Sequence, residues 1–381
     1  MADPIRLFVV AGEPSGDRIG ADLVKRLRVE HRVTLAGVGG AELEGEGLKP
    51  LFPMSDLSVM GLTDVLMRLP LLLWRIRQTA QSILSLAPDL VVLIDSQVFS
   101  QKVAERLRRA GYAGKILLYV APSVWIYKPE RAVTLKALYD EVLAVLPFEP
   151  AVMRKLGGPT THYVGHPALE QTVFRAAQPE RGPVLLLPGS RAGELRRHLP
   201  LMEMVAARLS KHPRVTGFVL PTPKSMEQQV FETVTQWKTP VFVTTTGEGK
   251  RKGFAESIVA AAVSGTVTLE LALAGVPMAI TYVGDRAQIR HWTKHKPRFA
   301  GLPNILSGSG LAPEFIGGAP QPEPLIEALE RLLDDPAEAE HQRAGYRRVR
   351  AGMEQGAPDA PVTDAVERIL AHLPQRLPIA T

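Results

Sequence analysis

The chain has 381 residues, of which 45% are apolar and 6% aromatic, and its formal net charge is +6 at pH 7. This length suits two domains better than one, and the apolar content is ordinary for a globular protein. Because the sequence contains no cysteine, disulfides, cysteine-ligated zinc and thiol catalysis are excluded. The modest positive charge is compatible with an anionic substrate, a membrane surface or nucleic acid.

The N-terminal residues show no targeting signal. They include an acid, Asp3, and the apolar run that follows is too short for a signal peptide. No uninterrupted apolar run reaches the roughly 18 residues that a transmembrane helix needs. We therefore expect a cytoplasmic protein.

The stretch at residues 8–17 is the clearest N-terminal feature. Leu7–Val10 predict a buried strand, and after a Gly/Pro/Ser turn apolar residues recur at helical spacing. Such a turn collects backbone N–H groups at a helix N-terminus. Its side chains Glu13, Ser15 and Asp17 would repel a diphosphate but suit sugar hydroxyls. The alternative for Ser15 and Asp17 is simple capping of the helix.

Strand and helix patterns alternate along the whole chain, which is typical of an α/β protein with parallel sheets. A long helix is predicted over 62–86, and a polar segment at 172–183 separates two series of strands. Strands are predicted near 7–10, 33–36, 90–94, 115–120, 141–146, 184–187, 215–220, 239–244 and 277–282. We therefore predict two Rossmann-like, doubly wound domains facing a cleft, over 1–175 and 176–355. A helical tail follows over 356–381, and its packing on the N-terminal domain is one option.

The turn Leu187–Arg191 is the clearest predicted anion site. Arg191 lies at the start of a helix, where a cation opposes the helix dipole, so binding of a diphosphate is the simplest reason for its presence. Ser190 precedes it in the same turn. The alternative is a salt bridge to Glu194 or an exposed arginine.

A second small-residue turn, Ser264-Gly265-Thr266, opens another predicted helix. Its hydroxyl and N–H groups suit a phosphate, and Glu270, one turn further on, suits the hydroxyls of a ribose. The alternative is an ordinary capped helix with a favourable acid in its first turn. Together with Arg191, this turn favours a nucleotide site.

Asp95 ends a buried strand, which is where open α/β sheets place working residues. It is a candidate general base, and the alternative is an N-cap for the next helix. His166, before a proline, is an acid, a base or a packing residue. His291 and His295 are interpreted as surface residues because no acid completes an H-E-x-x-H pattern.

No cofactor or metal is predicted. The sequence has no Asp-x-Asp at a strand end to hold a metal–diphosphate, and no complete G-x-G-x-x-G for a nicotinamide cofactor.

The predicted helix 62–86 carries an unusual apolar pattern. Leu71 and Trp74 fall off its expected buried stripe, beside Arg68 and Arg75. Such a pair among arginines suits a membrane interface or an acyl chain. The alternative is a helix buried on two sides. The expected buried stripe consists of Leu72, Leu73, Ile76, Ala80, Ile83 and Leu84.

Taken together, these motifs resemble the lipid-A-disaccharide synthase family. They occur in the family's order and reach about residue 310. The matching motifs are Gly12–Asp17, Met60-Gly61, Ile94-Asp95, Pro122–Trp125, Leu146–Glu149, Gly165-His166, Leu187–Arg191, Ser264–Glu270 and Leu302–Asn304.

The resemblance implies a GT-B fold and an inverting, metal-independent glycosyl transfer. A hydroxyl of 2,3-diacylglucosamine 1-phosphate (lipid X) would attack C1 of UDP-2,3-diacylglucosamine, releasing UDP and forming the β-1,6 disaccharide of lipid A. It also implies a peripheral enzyme at the cytoplasmic face of a Gram-negative inner membrane, with a homodimer as an option and no nucleic-acid partner.

The resemblance also implies roles for individual residues. Asp95 matches the catalytic acid/base, Glu13 the acceptor-side turn, and Arg191 the cation that stabilises the departing UDP. Membrane or acyl contact would involve Arg68, Leu71, Trp74 and Arg75. The substrate-binding set is Ser15, Asp17, Trp125, His166, Ser190, Ser264, Gly265, Thr266, Glu270 and Asn304.

The chain departs from the family pattern at Val98, Ala121 and Ile258, where a second acid, a serine and an aspartate are common. None of these positions has a chemical role assigned above, but they favour an altered acyl-chain or sugar preference. Two rival functions remain from the sequence: a catalytically silent UDP-binding relative and a soluble GT-B enzyme acting on UDP-GlcNAc, such as a 2-epimerase.

Overall fold

The computed structural model describes residues 3–57, 62–126, 128–295 and 297–373, without the side chains of residues 62–67, 287, 291 and 295. Two compact units are present: one joins the chain up to Pro167 to the segment from Gln355 onward, and the other is Ala168–Glu354. The predicted Met60-Gly61 motif lies outside the described residues, as do the side chains of His291 and His295.

Helices and strands alternate through both units. The helices are α1 Pro14–Leu27, α2 Ala41–Gly45, α3 Leu62–Leu86, α4 Gln97–Arg109, α5 Arg131–Lys136, α6 Glu149–Lys155, α7 Pro167–Gln171, α8 Ala192–Leu209, α9 Glu227–Val234, α10 Gly247–Glu256, α11 Thr266–Ala274, α12 Arg286–His295, α13 Leu302–Ser307, α14 Pro322–Asp334, α15 Pro336–Gln355 and α16 Ala365–Ala371. The strands are β1 Ile5–Ala11, β2 Val33–Val38, β3 Leu90–Ile94, β4 Ile116–Tyr119, β5 Glu141–Ala144, β6 Thr161–Tyr163, β7 Gly182–Leu187, β8 Val215–Pro221, β9 Phe242–Thr244, β10 Val259–Val263, β11 Met278–Val283, β12 Glu314–Gly317, β13 Gly356–Ala357 and β14 Ala360–Pro361.

Each unit is built on a six-stranded sheet, in the order β2-β1-β3-β4-β5-β6 in the first and β12-β11-β10-β7-β8-β9 in the second. All neighbouring strands in both sheets are parallel. In each sheet the chain first adds strands on one side of the first strand and later adds the remaining strands on its other side. This creates a switch point between β1 and β3, and another between β7 and β10, where such sheets bind ligands.

The prediction of two Rossmann-like domains is confirmed, whereas the predicted cleft stays a prediction. Strands β3 and β10 are buried along their whole length because helices cover both faces of a parallel sheet. Strand β10 was not predicted. Its sequence, Val-Ala-Ala-Ala-Val, has weak strand propensity, and its central position in the sheet overrides that preference.

The C-terminal helix α16 packs within the first unit through a buried carboxylate. Glu141, at the start of β5, receives hydrogen bonds from Arg368 Nε and Nη2 at 2.8 and 2.7 Å and from His372 Nε2 at 2.7 Å. Burial opposes the charged form, but the hydrogen bonds from Arg368 and His372 outweigh it and lower the pKa of Glu141. This contact anchors α16 to strand β5 of the first sheet.

Candidate active site

The first switch point brings two turns into direct contact. A Cβ added to Gly12, after β1, would lie 2.0 Å from Ser96 Oγ, in the turn after β3. Gly16 approaches β3 in the same way, since its Cβ would lie 3.3 Å from Ile94 Cγ2. A side chain at Gly12 would require Ser96 to move, and one at Gly16 would be tightly packed. Glu13 and Asp95 therefore belong to adjoining turns at one edge of the sheet.

Asp95 has an unusual backbone. Its φ is +51° and that of Ser96 is +43°, a left-handed conformation that costs L-residues about 1–2 kcal/mol each. The strand ladder fixes the position, because Asp95 N–H donates to the Tyr119 carbonyl at 2.9 Å. The N-cap position of α4 is Ser96, the residue directly after Asp95. Strain of this kind concentrates at functional sites.

The three polar residues of the first turn have different environments. Glu13 and Ser15 are exposed, and the Glu13 side chain makes no capping hydrogen bond to α1. Asp17, in contrast, is only 3% exposed. Its carboxylate accepts hydrogen bonds from the backbone N–H groups of Gly40 and Glu42 at 2.8 and 3.0 Å. Asp17 therefore caps α2, and its assignment to substrate binding stays a prediction.

His166 has a perturbed pKa. Burial disfavours the charged imidazolium and lowers the pKa of His166 to about 4. The ring is neutral at pH 7, and a group with so low a pKa is a weak proton acceptor. Packing or substrate contact fits His166 better than a role as general base.

Trp125 lies in the loop after β4, at the same edge of the sheet. This loop begins at Val120, whose φ of +75° is exceptional for a β-branched residue. The partly buried Trp125 ring meets the Phe148 ring edge to face, with centroids 5.1 Å apart and planes at 87°. Its indole Nε1 donates to Glu149 Oε1 at 3.4 Å.

Glu149 has no predicted role from the sequence, although it belongs to the Leu146–Glu149 motif. The residue opens α6 just after β5 and is 3% exposed. Burial raises the pKa of Glu149 to about 8, so the side chain is largely protonated at pH 7. The signal available in the sequence was an acid placed among apolar residues directly after a strand.

The second switch point carries the turn from Pro188 to Arg191. Glu194 reaches back over this turn: Oε2 accepts hydrogen bonds from Ser190 N and Arg191 N at 3.0 and 3.3 Å, and Oε1 lies 3.3 Å from Arg191 Nη1. Gly189 has φ +103°, which lets the backbone close around the carboxylate. The salt bridge to Glu194, the alternative for Arg191, is thus formed, while the Arg191 side chain remains 63% exposed.

The turn after β10 adjoins this region of the sheet. Gly265 and Thr266 are exposed, whereas Ser264 Oγ donates to the Ala300 carbonyl at 3.0 Å. Glu270 pairs with Lys250 on α10. Gly265 and Thr266 are therefore available to a ligand, while Ser264 and Glu270 already have protein contacts.

Asn304 is fully buried, and its assignment to UDP binding stays a prediction. Its Nδ2 donates to the Ala312 carbonyl and to Glu314 Oε1, both at 2.7 Å, and its Oδ1 accepts from Ala312 N at 2.9 Å. Both ends of the amide are satisfied within the protein, so the side chain holds the loop before β12.

His198 also supports the second switch point. Its Nε2 accepts a hydrogen bond from Val283 N at 2.8 Å, so the ring is neutral and its Nδ1–H donates to the Glu194 carbonyl at 2.8 Å. Burial lowers the pKa of His198 and favours this neutral form. The histidine thereby ties the first turn of α8 to the end of β11.

Helix α3 presents apolar side chains to solvent, but not all the predicted ones. Leu73 and Trp74 are 57% and 53% exposed, and Leu69 is exposed beside them. Leu71 is partly buried, and Leu73 and Leu84 are exposed although both were assigned to the buried stripe. Arg68 is exposed, whereas Arg75 donates from Nε to Asp56 Oδ2 at 2.9 Å. We call Leu69, Leu73 and Trp74 the α3 patch.

The described ranges, 3–57, 62–126, 128–295 and 297–373, contain neither a metal-binding cluster nor a membrane-spanning helix. Within them, no cluster of three or more His, Cys, Asp or Glu side chains is arranged to hold a metal ion. No helix within them combines the length and hydropathy needed to cross a bilayer.

Solved structures of other proteins share the fold of this chain. A Staphylococcus aureus MnaA–UDP complex superposes with a TM-score of 0.62 at 15% identity, covering 97% of this chain and 95% of that one. Acinetobacter baumannii MurG superposes with a TM-score of 0.56 at 14% identity, over 97% and 99% of the two chains. These likenesses define the GT-B fold class.

Sequence comparison identifies the family within that class. The family model described as lipid-A-disaccharide synthetase matches residues 7–363. A lipid-A-disaccharide synthase of Rhodopseudomonas palustris is 38% identical over 96% of both chains, and one of Rhodospirillum centenum is 38% identical over 98% of this chain and 96% of its own. The chain belongs to the lipid-A-disaccharide synthase family. The predictions of family and of glycosyltransferase activity are confirmed, and the two rival functions are not favoured.

Proposed function

We propose that this enzyme transfers 2,3-diacylglucosamine from its UDP conjugate to 2,3-diacylglucosamine 1-phosphate, with Asp95 as the general base. The acceptor hydroxyl oxygen forms a bond to C1 of the donor while its proton passes to the Asp95 carboxylate. The bond between C1 and the diphosphate oxygen breaks, and UDP leaves with the electron pair. The observation that carries this proposal is Asp95 on a strained backbone at the first switch point, in a chain of this family.

The choice of base follows from the environments of the four candidates in the first unit. Asp17 caps α2 and is buried, and the low pKa of His166 makes it a weak base. Glu13 is exposed on the turn that adjoins Asp95, which suits binding of acceptor hydroxyls. Asp95 is partly buried, and the strand ladder holds its backbone, as precise proton transfer requires.

The second switch point supports a UDP site. The exposed Arg191 guanidinium would balance the charge that develops on the departing diphosphate, and the exposed Gly265 and Thr266 lie at the N-terminus of α11. Glu270 suits the ribose hydroxyls, with Lys250 fixing its carboxylate. Ser190 completes the turn.

The acylated substrates also imply contact with a lipid surface. Exposed leucine and tryptophan side chains next to arginines are suited to a membrane interface, and the α3 patch has this composition. We propose that it holds the enzyme at the cytoplasmic face of the inner membrane. A homodimer stays a prediction.

The test is an assay of the purified protein with both acylated sugars, following UDP release and disaccharide formation by mass spectrometry. The proposal predicts equimolar UDP and disaccharide 1-phosphate. Release of UDP without disaccharide, or conversion of UDP-GlcNAc to its 2-epimer, would instead support a different GT-B activity.

A further inference from the structure

The contact between Trp125 and Glu149 has no role in the reaction described so far. Their loops follow β4 and β5, which are neighbours in the first sheet, so both lie at the edge that carries Asp95. The Trp125 ring is partly exposed. A partly exposed aromatic ring at that edge is suited to stacking on a sugar ring.

Glu149 holds that ring through a hydrogen bond from its indole N–H. One carboxyl oxygen accepts from Trp125 Nε1 at 3.4 Å and the other from Leu146 N at 3.1 Å. Phe148 supports the ring from its edge, 5.1 Å away between centroids. The acid is almost fully buried, and both of its carboxyl oxygens accept hydrogen bonds within the protein, as a buried polar group requires.

We propose that Glu149 is a positioning residue for the acceptor, holding the Trp125 ring in the orientation that stacks on the acceptor glucosamine. This inference rests on the proposed function. Glu149 acts only through Trp125, so its loss should weaken acceptor binding and leave the donor site unaffected.

The test compares KM for each substrate in Glu149→Leu, Glu149→Gln and Trp125→Ala. Leucine keeps the volume of Glu149 but accepts no hydrogen bond, whereas glutamine keeps one acceptor oxygen. We expect Glu149→Leu and Trp125→Ala each to raise the acceptor KM about fivefold or more with the donor KM unchanged. Glu149→Gln should restore a nearly normal value, and the Glu149→Leu/Trp125→Ala double variant should be no worse than Trp125→Ala.

Glu141→Gln is the matched control, because Glu141 is a buried acid at the start of β5, the strand that precedes Glu149. It should lower stability without changing the acceptor KM. An unchanged acceptor KM in Glu149→Leu, or an equal rise in both KM values, would overturn the inference.

Indole fluorescence separates this inference from the proposed function. The Trp125 contribution is obtained by subtracting the spectrum of Trp125→Phe. The emission maximum of Trp125 should shift in Glu149→Leu and stay unchanged in Glu149→Gln. This holds even if the wild-type enzyme forms no disaccharide. An emission that is the same in all Glu149 variants would show that the pair does not fix the ring.

Discussion

The two switch points share one topology but hold their polar side chains differently. In the first unit, Glu13 is exposed and Asp95 lies on a left-handed backbone. In the second unit, Arg191 is paired with Glu194 and Glu270 with Lys250. A ligand at the first switch point therefore meets carboxylates on adjoining turns, whereas an anion at the second competes with an internal carboxylate. In the proposed function, the first unit supplies the acid–base residues and the second unit binds the nucleotide.

The largest effect is expected from Asp95→Asn, which removes the base and tests the first half of this comparison. Asparagine tolerates the left-handed backbone, so the fold and the UDP affinity should be retained. Steady-state kinetics should show kcat lower by about 10²–10⁴, the usual contribution of a general base. Glu13→Gln serves as the control and should mainly raise the acceptor KM. Loss of turnover in Glu13→Gln with normal turnover in Asp95→Asn would reverse the assignment.

The pKa of Glu149 predicts a pH dependence of stability confined to the first unit. The folded protein keeps a proton on Glu149 up to about pH 8, while the unfolded chain releases it near the ordinary value of 4.5. Between these values the unfolded state binds fewer protons, so the free energy of unfolding decreases as pH rises, by up to about 5 kcal/mol.

Glu149→Gln should remove that dependence. The free energy of unfolding of the wild type and of Glu149→Gln is measured by denaturant unfolding at pH 5 and pH 8. The Glu149 charge also acts on Tyr163. Burial is the larger cause of the raised pKa of Tyr163 and the Glu149 charge the smaller one, so Tyr163 stays neutral between pH 5 and pH 8. Parallel pH curves for the wild type and Glu149→Gln would contradict the shifted pKa.

Arg191→Ala tests the second half of the comparison. Losing a charge-assisted contact to the diphosphate should weaken UDP binding by about 1.5–3 kcal/mol, or about 10- to 150-fold. The Glu194 carboxylate then remains beside the diphosphate without its partner. Calorimetry should therefore find that Arg191→Ala/Glu194→Gln binds UDP more tightly than Arg191→Ala. Equal UDP affinity in the wild type and Arg191→Ala would remove the assignment.

The smallest effect is expected from the α3 patch. Leu73→Ser/Trp74→Ser should lower binding to vesicles containing anionic phospholipid several-fold and raise the apparent KM for acylated substrate. Stability should change little because both side chains are exposed. Phe231→Ser/Phe242→Ser is the matched control, since these exposed aromatics lie in the second unit. Equal loss of vesicle binding in both double variants would show that the α3 patch is not specific.

Sequence patterns predicted the parts of this molecule in which local and long-range preferences agree. The apolar run of β3 and its terminal Asp95 are examples, because a buried strand ending in an acid has one natural place in a parallel sheet. Strand β10 was missed since three alanines carry no strand signal and only its neighbours β7 and β11 make it a strand.

Two of the predicted substrate-binding residues have a structural role that their motifs did not reveal. Asp17 and Asn304 lie in motifs shared with the family, but their side chains are buried and bonded to α2 and to the loop before β12. A motif alone does not distinguish a residue that contacts ligand from one that holds the contacting loop. The pairing of Glu149 with Trp125 joins residues 24 positions apart, which no local pattern encodes.

The most direct test of Asp95 as the base is chemical rescue of Asp95→Gly. Glycine accepts a φ of +51° without strain, so the turn should keep its shape while space opens for a small acid. If Asp95 is the base, Asp95→Gly should lose turnover, bind UDP normally, and regain disaccharide synthesis as formate is added. Normal turnover without formate, or rescue of Glu13→Gly instead, would contradict it.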